Sequence, residues 1–199
     1  DTLAEILQRA GYATHAWSTN PNILPLFGFG QGFDVFEDVG SQTWGGRKTD
    51  GAPLVDRVIA TLEGSPSQPG FYYVHFMDPH APYSPSEEQR SRIDELGGVE
   101  TTFPADREAY PELEESYRAY LGELLDFDAQ LGRLVTRLRE LDLYENAVIV
   151  VTSDHGEEFL DHGASPAVRV GAHGHALFEE LLHVPMVMKL AGEAPPQRV

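Results

Sequence analysis

Apolar and polar positions alternate along the 199-residue chain in a way that marks helices joined to short apolar runs. Leu3, Ile6, Leu7 and Ala10 recur at helical spacing behind Asp1 or Thr2 as cap, and Gly11 stops the run. Tyr12 to Thr19 reads as a short strand, followed by an Asn-Pro-Asn turn at 20–22 and a glycine-rich loop from Gly28 to Gly32. Leu54, Val55, Val58, Ile59 and Leu62 again have helical spacing. Phe71 to Met77 is a continuous apolar and aromatic run broken only by His75, the pattern of a strand buried on both faces. Tyr117, Leu121, Leu124, Leu131, Val135 and Leu138 predict a long amphipathic helix, with Asp128 on its stripe. Ala147 to Val151 predicts a second buried strand, and His183 to Leu190 a third.

Helices alternating with apolar strands predict an α/β sandwich with a largely parallel sheet, one domain over residues 1–199. Residues 78–112 are rich in proline and charge, and 84–112 reads as an acidic insertion or long loop. An α/β domain of this kind usually opens on a central strand. This chain opens on a helix, so the expectation is that N-terminal sheet is missing.

Composition narrows the partners. Hydrophobic residues make up 41%, a globular composition. The net charge of −18 repels nucleic-acid phosphates and anionic membranes, so neither is an expected partner. Much of the acid lies between Asp94 and Glu115, where Arg107 is the only basic residue. No apolar run approaches the roughly 18 residues of a membrane span. The first residues show neither a basic region nor an apolar signal core. There are no cysteines, which excludes disulfides and cysteine-zinc sites. Nothing in the pattern specifies an oligomer.

Three segments can carry chemistry. In the first, the run Val150-Val151-Thr152 leads straight into Ser153-Asp154-His155-Gly156-Glu157-Glu158. Ligands of open parallel sheets bind beyond the C-terminal strand ends. A carboxylate and a neutral imidazole are both good ligands for divalent metals. Adjacent residues share one ion only if the backbone turns sharply, which Gly156 would permit. The alternative is that Asp154 caps a helix starting at Gly156 and His155 lies on the surface. The second segment, Asp78-Pro79-His80-Ala81-Pro82-Tyr83, also follows a strand, and its prolines leave His80 little freedom. It reads either as a substrate-contacting loop or as a rigid turn. His75, within the strand, suits a satisfied core histidine as well as a site. The third is histidine density: His155, His162, His173, His175 and His183 are five of the eight histidines. Such clusters suit metal ligation or proton transfer, although His162 and His183 taken singly read as surface or packing residues.

In order along the chain, these elements resemble the sulfatase family of the alkaline-phosphatase superfamily. The matching pieces are Thr2-Leu3-Ala4-Glu5 through Ala10-Gly11-Tyr12, Gln31-Gly32-Phe33-Asp34, and Asp78 through Tyr83. Asp128 to Gly132, Ser153 through Glu157, and His173-Gly174 through Glu179-Glu180 to Val184-Pro185 complete the series. The resemblance implies an alkaline-phosphatase-like sandwich. It implies that Asp154 and His155 ligate a divalent metal, calcium, manganese or zinc, that activates the nucleophile and polarises the ester. Many sulfatases have asparagine where His155 stands. The histidine looks more like members that take manganese or zinc, or that hydrolyse phosphate or phosphonate esters. His80 matches the position that contacts the sulfuryl or phosphoryl group. His173 or His175 lies near a lysine that binds the anion in many sulfatases, and Asp128 matches a helix position read here as structural.

In this family the nucleophile is a cysteine converted to formylglycine, or a serine or threonine, in a Cys/Ser-x-Pro-x-Arg segment upstream of the Thr-Leu-Ala-Glu element. No such segment occurs here, so the chain is expected to be a fragment without nucleophile, inactive alone. The expected function of the intact protein is hydrolysis of small-molecule or glycan sulfate esters, and the family resemblance is compatible with a periplasmic or secreted setting. The alternatives are a phosphodiesterase, phosphonate hydrolase or phosphotransferase of the same superfamily, and a non-catalytic binding domain that keeps the fold.

Overall fold

The most buried strand is one that the apolar pattern understates. In the computed structural model, which describes residues 1–40, 51–64, 69–96, 110–162 and 171–192, β1 (Ala13–Ser18) lies at the centre of a three-stranded sheet. Its sequence mixes alanine and tryptophan with Thr14, His15 and Ser18. Thr14, Ala16, Trp17 and Ser18 are nevertheless fully buried. The polar members are tolerated because they are hydrogen-bonded. Thr14 N–H donates to Asp34 Oδ2 at 2.9 Å, Thr14 Oγ1 donates to the same oxygen at 3.1 Å, and Ser18 Oγ accepts from Asn20 N–H at 3.0 Å. These bonds hold the Asp34 carboxyl below its usual range, the backbone donor Thr14 contributing most, then the Gln8 amide.

β1 pairs in parallel with β2 (Val35–Asp38) on one side and with β3 (Gly70–His75) on the other. β3 is therefore an edge strand. It is half-buried, with Tyr73 exposed, whereas its apolar run predicts burial on both faces. α1 (Leu3–Arg9) and α2 (Gly51–Gly64) pack on β1. α2 buries Leu54, Val55, Val58 and Leu62, as its periodicity predicts. α1 differs from expectation: Ala4 is the buried residue, and Leu3 and Ile6 stay exposed.

Two sequence elements explain α1. Thr2 and Glu5 form a reciprocal capping box, Glu5 N–H donating to Thr2 Oγ1 at 3.1 Å and Thr2 N–H to Glu5 Oε2 at 2.7 Å. Gly32, at φ +84°, lies so close that a Cβ there would strike the Glu5 amide nitrogen. The Thr-Leu-Ala-Glu and Gln-Gly-Phe-Asp elements thus hold one helix end against one loop, a structural task.

The described chain divides into two compact units, Asp1–Pro82 with Glu123–Arg137, and Tyr83–Gly122 with Leu138–Val199. The long helix α4 (Glu112–Glu140) supplies residues to both. Asp128, placed on its apolar stripe by sequence, is exposed. The second unit also holds α3 (Glu87–Glu95), β4 (Ile149–Thr152), α5 (Glu179–Leu182) and β5 (Met186–Lys189). α3 corrects part of the long-loop reading of 84–112. Ser86 caps it by accepting from Gln89 N–H, and Gln89 and Ile93 are buried. Residues 97–109, most of the remaining acidic stretch, lie outside the described residues.

β4 and β5 pair antiparallel, Val150 opposite Met188 and Thr152 opposite Met186. Val150, Met186, Val187 and Met188 are exposed, so these apolar strands do not have the buried faces their runs predict. The core of this unit is Leu113, Phe159 and Leu160, with Tyr83, Tyr110, Tyr117 and Tyr120 packed on it. Leu160 adopts φ +63°, a conformation leucine rarely takes, and does so with its side chain fully buried in that core. No helix among the described residues is long and apolar enough to cross a membrane.

Candidate active site

β4 ends at Thr152, whose hydroxyl donates to the Pro185 carbonyl at 2.9 Å. The Val184-Pro185 element thus anchors the strand exit. Ser153 Oγ donates to the His155 carbonyl. No helix starts at Gly156, which removes the capping reading of Asp154. Asp154 Oδ1 instead accepts from the His155 amide at 3.1 Å. Gly156 also differs from expectation. It is not among the glycines with positive φ, so no left-handed turn requires it. What requires it is proximity: a Cβ would collide with the Glu180 carbonyl oxygen, and Gly156 N–H donates to the Leu181 carbonyl at 2.9 Å.

That placement sets the imidazole of His155. Its Nδ1–H donates to the Gly156 carbonyl at 2.8 Å, which leaves the lone pair on Nε2. Nε2 lies 3.7 Å from Asp154 Oδ1. Two ligand atoms each about 2.1 Å from one ion stand roughly 3.0 to 4.2 Å apart, so this pair fits a shared divalent metal. It fits only part of a shell, since no group of three or more His, Asp or Glu suited to an ion occurs among the described residues.

His173 and His175 are placed by one backbone bridge. Glu158 and Ala172 pair antiparallel, exchanging N–H···O bonds of 3.1 and 3.2 Å. This sets Glu157 opposite His173, and His173 Nδ1–H donates to Glu157 Oε1 at 2.9 Å. The His173 ring stacks on His155, centroids 3.9 Å apart. His175 Nε2–H donates to Glu158 Oε2 at 2.5 Å, and that carboxylate is fully buried. Asp154, His155 and His173 therefore gather at one place, while His175 turns to a buried partner. Glu157 and Glu158 were not singled out from sequence. Their partners stand 16 and 17 residues away, and no local pattern marks such pairs.

His80 belongs to the first unit, beyond the end of β3. Its Nδ1–H donates to the Ala81 carbonyl and its N–H to the Met77 carbonyl, each at 2.6 Å, and both flanking X-Pro peptides are cis. His75 has polar partners on both ring nitrogens: Asn20 Nδ2 at 3.2 Å from Nε2 and Tyr73 OH at 3.1 Å from Nδ1. That is the satisfied-histidine arrangement.

His183 pairs with Glu179 at 3.1 Å in an exposed setting. His162 donates to Glu180 Oε2 at 3.0 Å and stacks on Phe178 at 3.8 Å. The Glu180 hydrogen bond raises the His162 pKa above 6.5, and the same bond lowers Glu180 below 4.5. The raised histidine stabilises fully below pH 6.5 and loses this as pH rises through its folded value. The lowered carboxylate stabilises fully above pH 4.5 and loses this as pH falls through its own. The stability gap between wild type and His162→Gln, followed by thermal melts across pH, should therefore be widest between pH 4.5 and 6.5. A gap independent of pH would refute the pairing.

β1, β2 and β3 form a parallel sheet, and Asp154 and His155 follow the end of β4. A stretch of 82 residues is 30% identical to the multifunctional alkaline phosphatase superfamily protein PehA of Trinickia caryophylli, covering 41% of this chain and 15% of that protein. Another of 80 residues is 31% identical to arylsulfatase K of Canis lupus familiaris, covering 40% of this chain and 14% of that protein. The phosphonate monoester hydrolase of Agrobacterium radiobacter superposes with a TM-score of 0.73 at 20% identity, over 96% of this chain and 52% of that structure. The chain thus spans about half the length of that solved structure. The family model described as Sulfatase matches residues 1–199, and the chain belongs to the sulfatase family.

Proposed function

We propose that this chain supplies the Asp154-His155 half of a metal-assisted site in a sulfate-ester hydrolase, with the nucleophile and the other metal ligands provided elsewhere in the intact protein. The observation that carries the reading is the 3.7 Å approach of His155 Nε2 to Asp154 Oδ1, with Nδ1–H already committed to Gly156. A bound divalent ion, calcium, manganese or zinc, would supply charge that polarises the ester oxygens and lowers the pKa of the nucleophile. Asp154 and His155 would hold it. His173 is proposed to exchange a proton with the leaving-group oxygen through Nε2, because Nδ1 is turned to Glu157. His175, tied to buried Glu158, is assigned a structural role.

The convergence of Asp154, His155 and His173 favours this reading over a binding domain without chemistry. Phosphonate or phosphodiester hydrolysis is the second reading, favoured by the imidazole of His155 where many sulfatases carry asparagine. The test is hydrolysis of p-nitrophenyl sulfate and of a p-nitrophenyl phosphonate monoester by the intact protein, stripped with chelator and reloaded with calcium, manganese or zinc. The expected result is sulfate hydrolysis that the metal restores. Dominant phosphonate hydrolysis establishes the second reading, and no turnover with any metal leaves the binding domain.

A further inference from the structure

The Glu157 carboxylate is enclosed, its side chain 6% exposed, and both of its oxygens are engaged. Oε1 accepts from His173 Nδ1–H at 2.9 Å, and Oε2 accepts from Tyr83 O–H at 2.8 Å. An enclosed carboxylate is costly unless its lone pairs are satisfied, so this pair of bonds is a condition of the local structure.

Tyr83 is itself held by its neighbours. Its ring meets Tyr120 edge-on at 5.7 Å and lies tilted against Phe159 at 6.0 Å. Phe159 belongs to the core with Leu113 and Leu160. On the other side Gly171, at φ +64°, leaves room for the hydroxyl, and a Cβ there would strike the Tyr83 oxygen. A rigid relay thus runs from the core through Tyr83 and Glu157 to His173, whose ring stacks on His155.

The neighbouring pair has the opposite polarity. Glu158 grips His175 through Nε2, not Nδ1. Two histidines two residues apart are thus set in opposite tautomers, His173 as Nδ1–H and His175 as Nε2–H. Only the first has its proton fixed on the ring nitrogen nearer the backbone, which turns its basic nitrogen outward along the ring.

We infer that Tyr83 and Glu157 are positioning residues that fix the tautomer and ring plane of His173. The inference rests on the reading that His173 exchanges a proton with substrate through Nε2. Tyr83 is the last residue of the Asp-Pro-His-Ala-Pro-Tyr element, so it gives that element a task separate from His80.

The test uses the intact protein labelled with ¹⁵N-histidine, observed by NMR at alkaline pH. Wild type should show His173 protonated on Nδ1 and His175 on Nε2. In Glu157→Ala and Tyr83→Phe, His173 should move towards the Nε2–H form while His175 stays put. Kinetics on the same proteins should show kcat falling about 10- to 100-fold for Glu157→Ala, with KM within about threefold, and a smaller fall for Glu157→Gln. Tyr83→Phe keeps the packed ring, so it separates the hydrogen bond from loss of fold. His173 found as Nε2–H in wild type, or unmoved in both variants, overturns the inference. A tautomer shift with kcat unchanged supports the clamp and overturns the proton-exchange role of His173 instead.

Discussion

His155→Ala, made in the intact protein, is expected to lower kcat/KM by about a thousandfold, roughly 4 kcal/mol of transition-state stabilisation. The reason is specific to the geometry. His155 has one ring nitrogen tied to the Gly156 carbonyl and the other 3.7 Å from Asp154 Oδ1, so removing it would take one of two adjacent donors from the proposed ion. The half-exposed ring fills no core, and the melting temperature should barely move. His155→Asn sharpens the test. An amide oxygen is a hard donor that suits calcium better than an imidazole does, and zinc or manganese less well. The variant should keep more activity than His155→Ala and shift its metal preference towards calcium. Equal loss in both variants, with metal preference unchanged, would remove His155 from the metal site. Steady-state kinetics across the three metals decides between these outcomes.

Gly156→Ala should instead act on stability. The backbone there is open to alanine, yet the added methyl would meet the Glu180 carbonyl oxygen, with the Leu181 Cα 3.3 Å away. These are backbone atoms of α5, which cannot rotate aside. Either α5 moves or the Gly156 N–H bond to Leu181 breaks. A cost of about 3 kcal/mol is expected, a fall in melting temperature of roughly 6 to 12 °C for a domain of this size. Gly132→Ala is the matched control. Gly132 lies in α4 with no described residue near its Cβ position, so the same substitution should stabilise by about 0.5–1 kcal/mol. A neutral Gly156→Ala would mean that the strand exit and α5 are not held in contact.

The contrast between these glycines shows what a sequence can carry. Helical periodicity located α2 and α4, and of the two candidate caps Asp1 and Thr2 it is Thr2 that caps α1. Burial was less legible. The long apolar runs at β3 and β4 suggested interior strands, but β3 is an edge strand and β4 belongs to a two-stranded ribbon. The most buried strand is β1, whose Thr14 and Ser18 are satisfied by Asp34 and Asn20, partners that hydropathy does not register. In the site, Asp154, His155 and His173 were legible because their residue types suit metals and protons. Glu157, Glu158 and Tyr83 were not, because their meaning lies in pairings across 16, 17 and 74 residues.

The bridge between Glu158 and Ala172 also bears on how such a protein can diversify. One pair of backbone bonds fixes the register of both glutamate-histidine pairs. Lengthening a connection costs little, about 0.6 kcal/mol of closure entropy for each doubling. An insertion between the two bridge residues is therefore expected to leave His173 opposite Glu157. Glu157 and His173 would keep their register as chain is added between them.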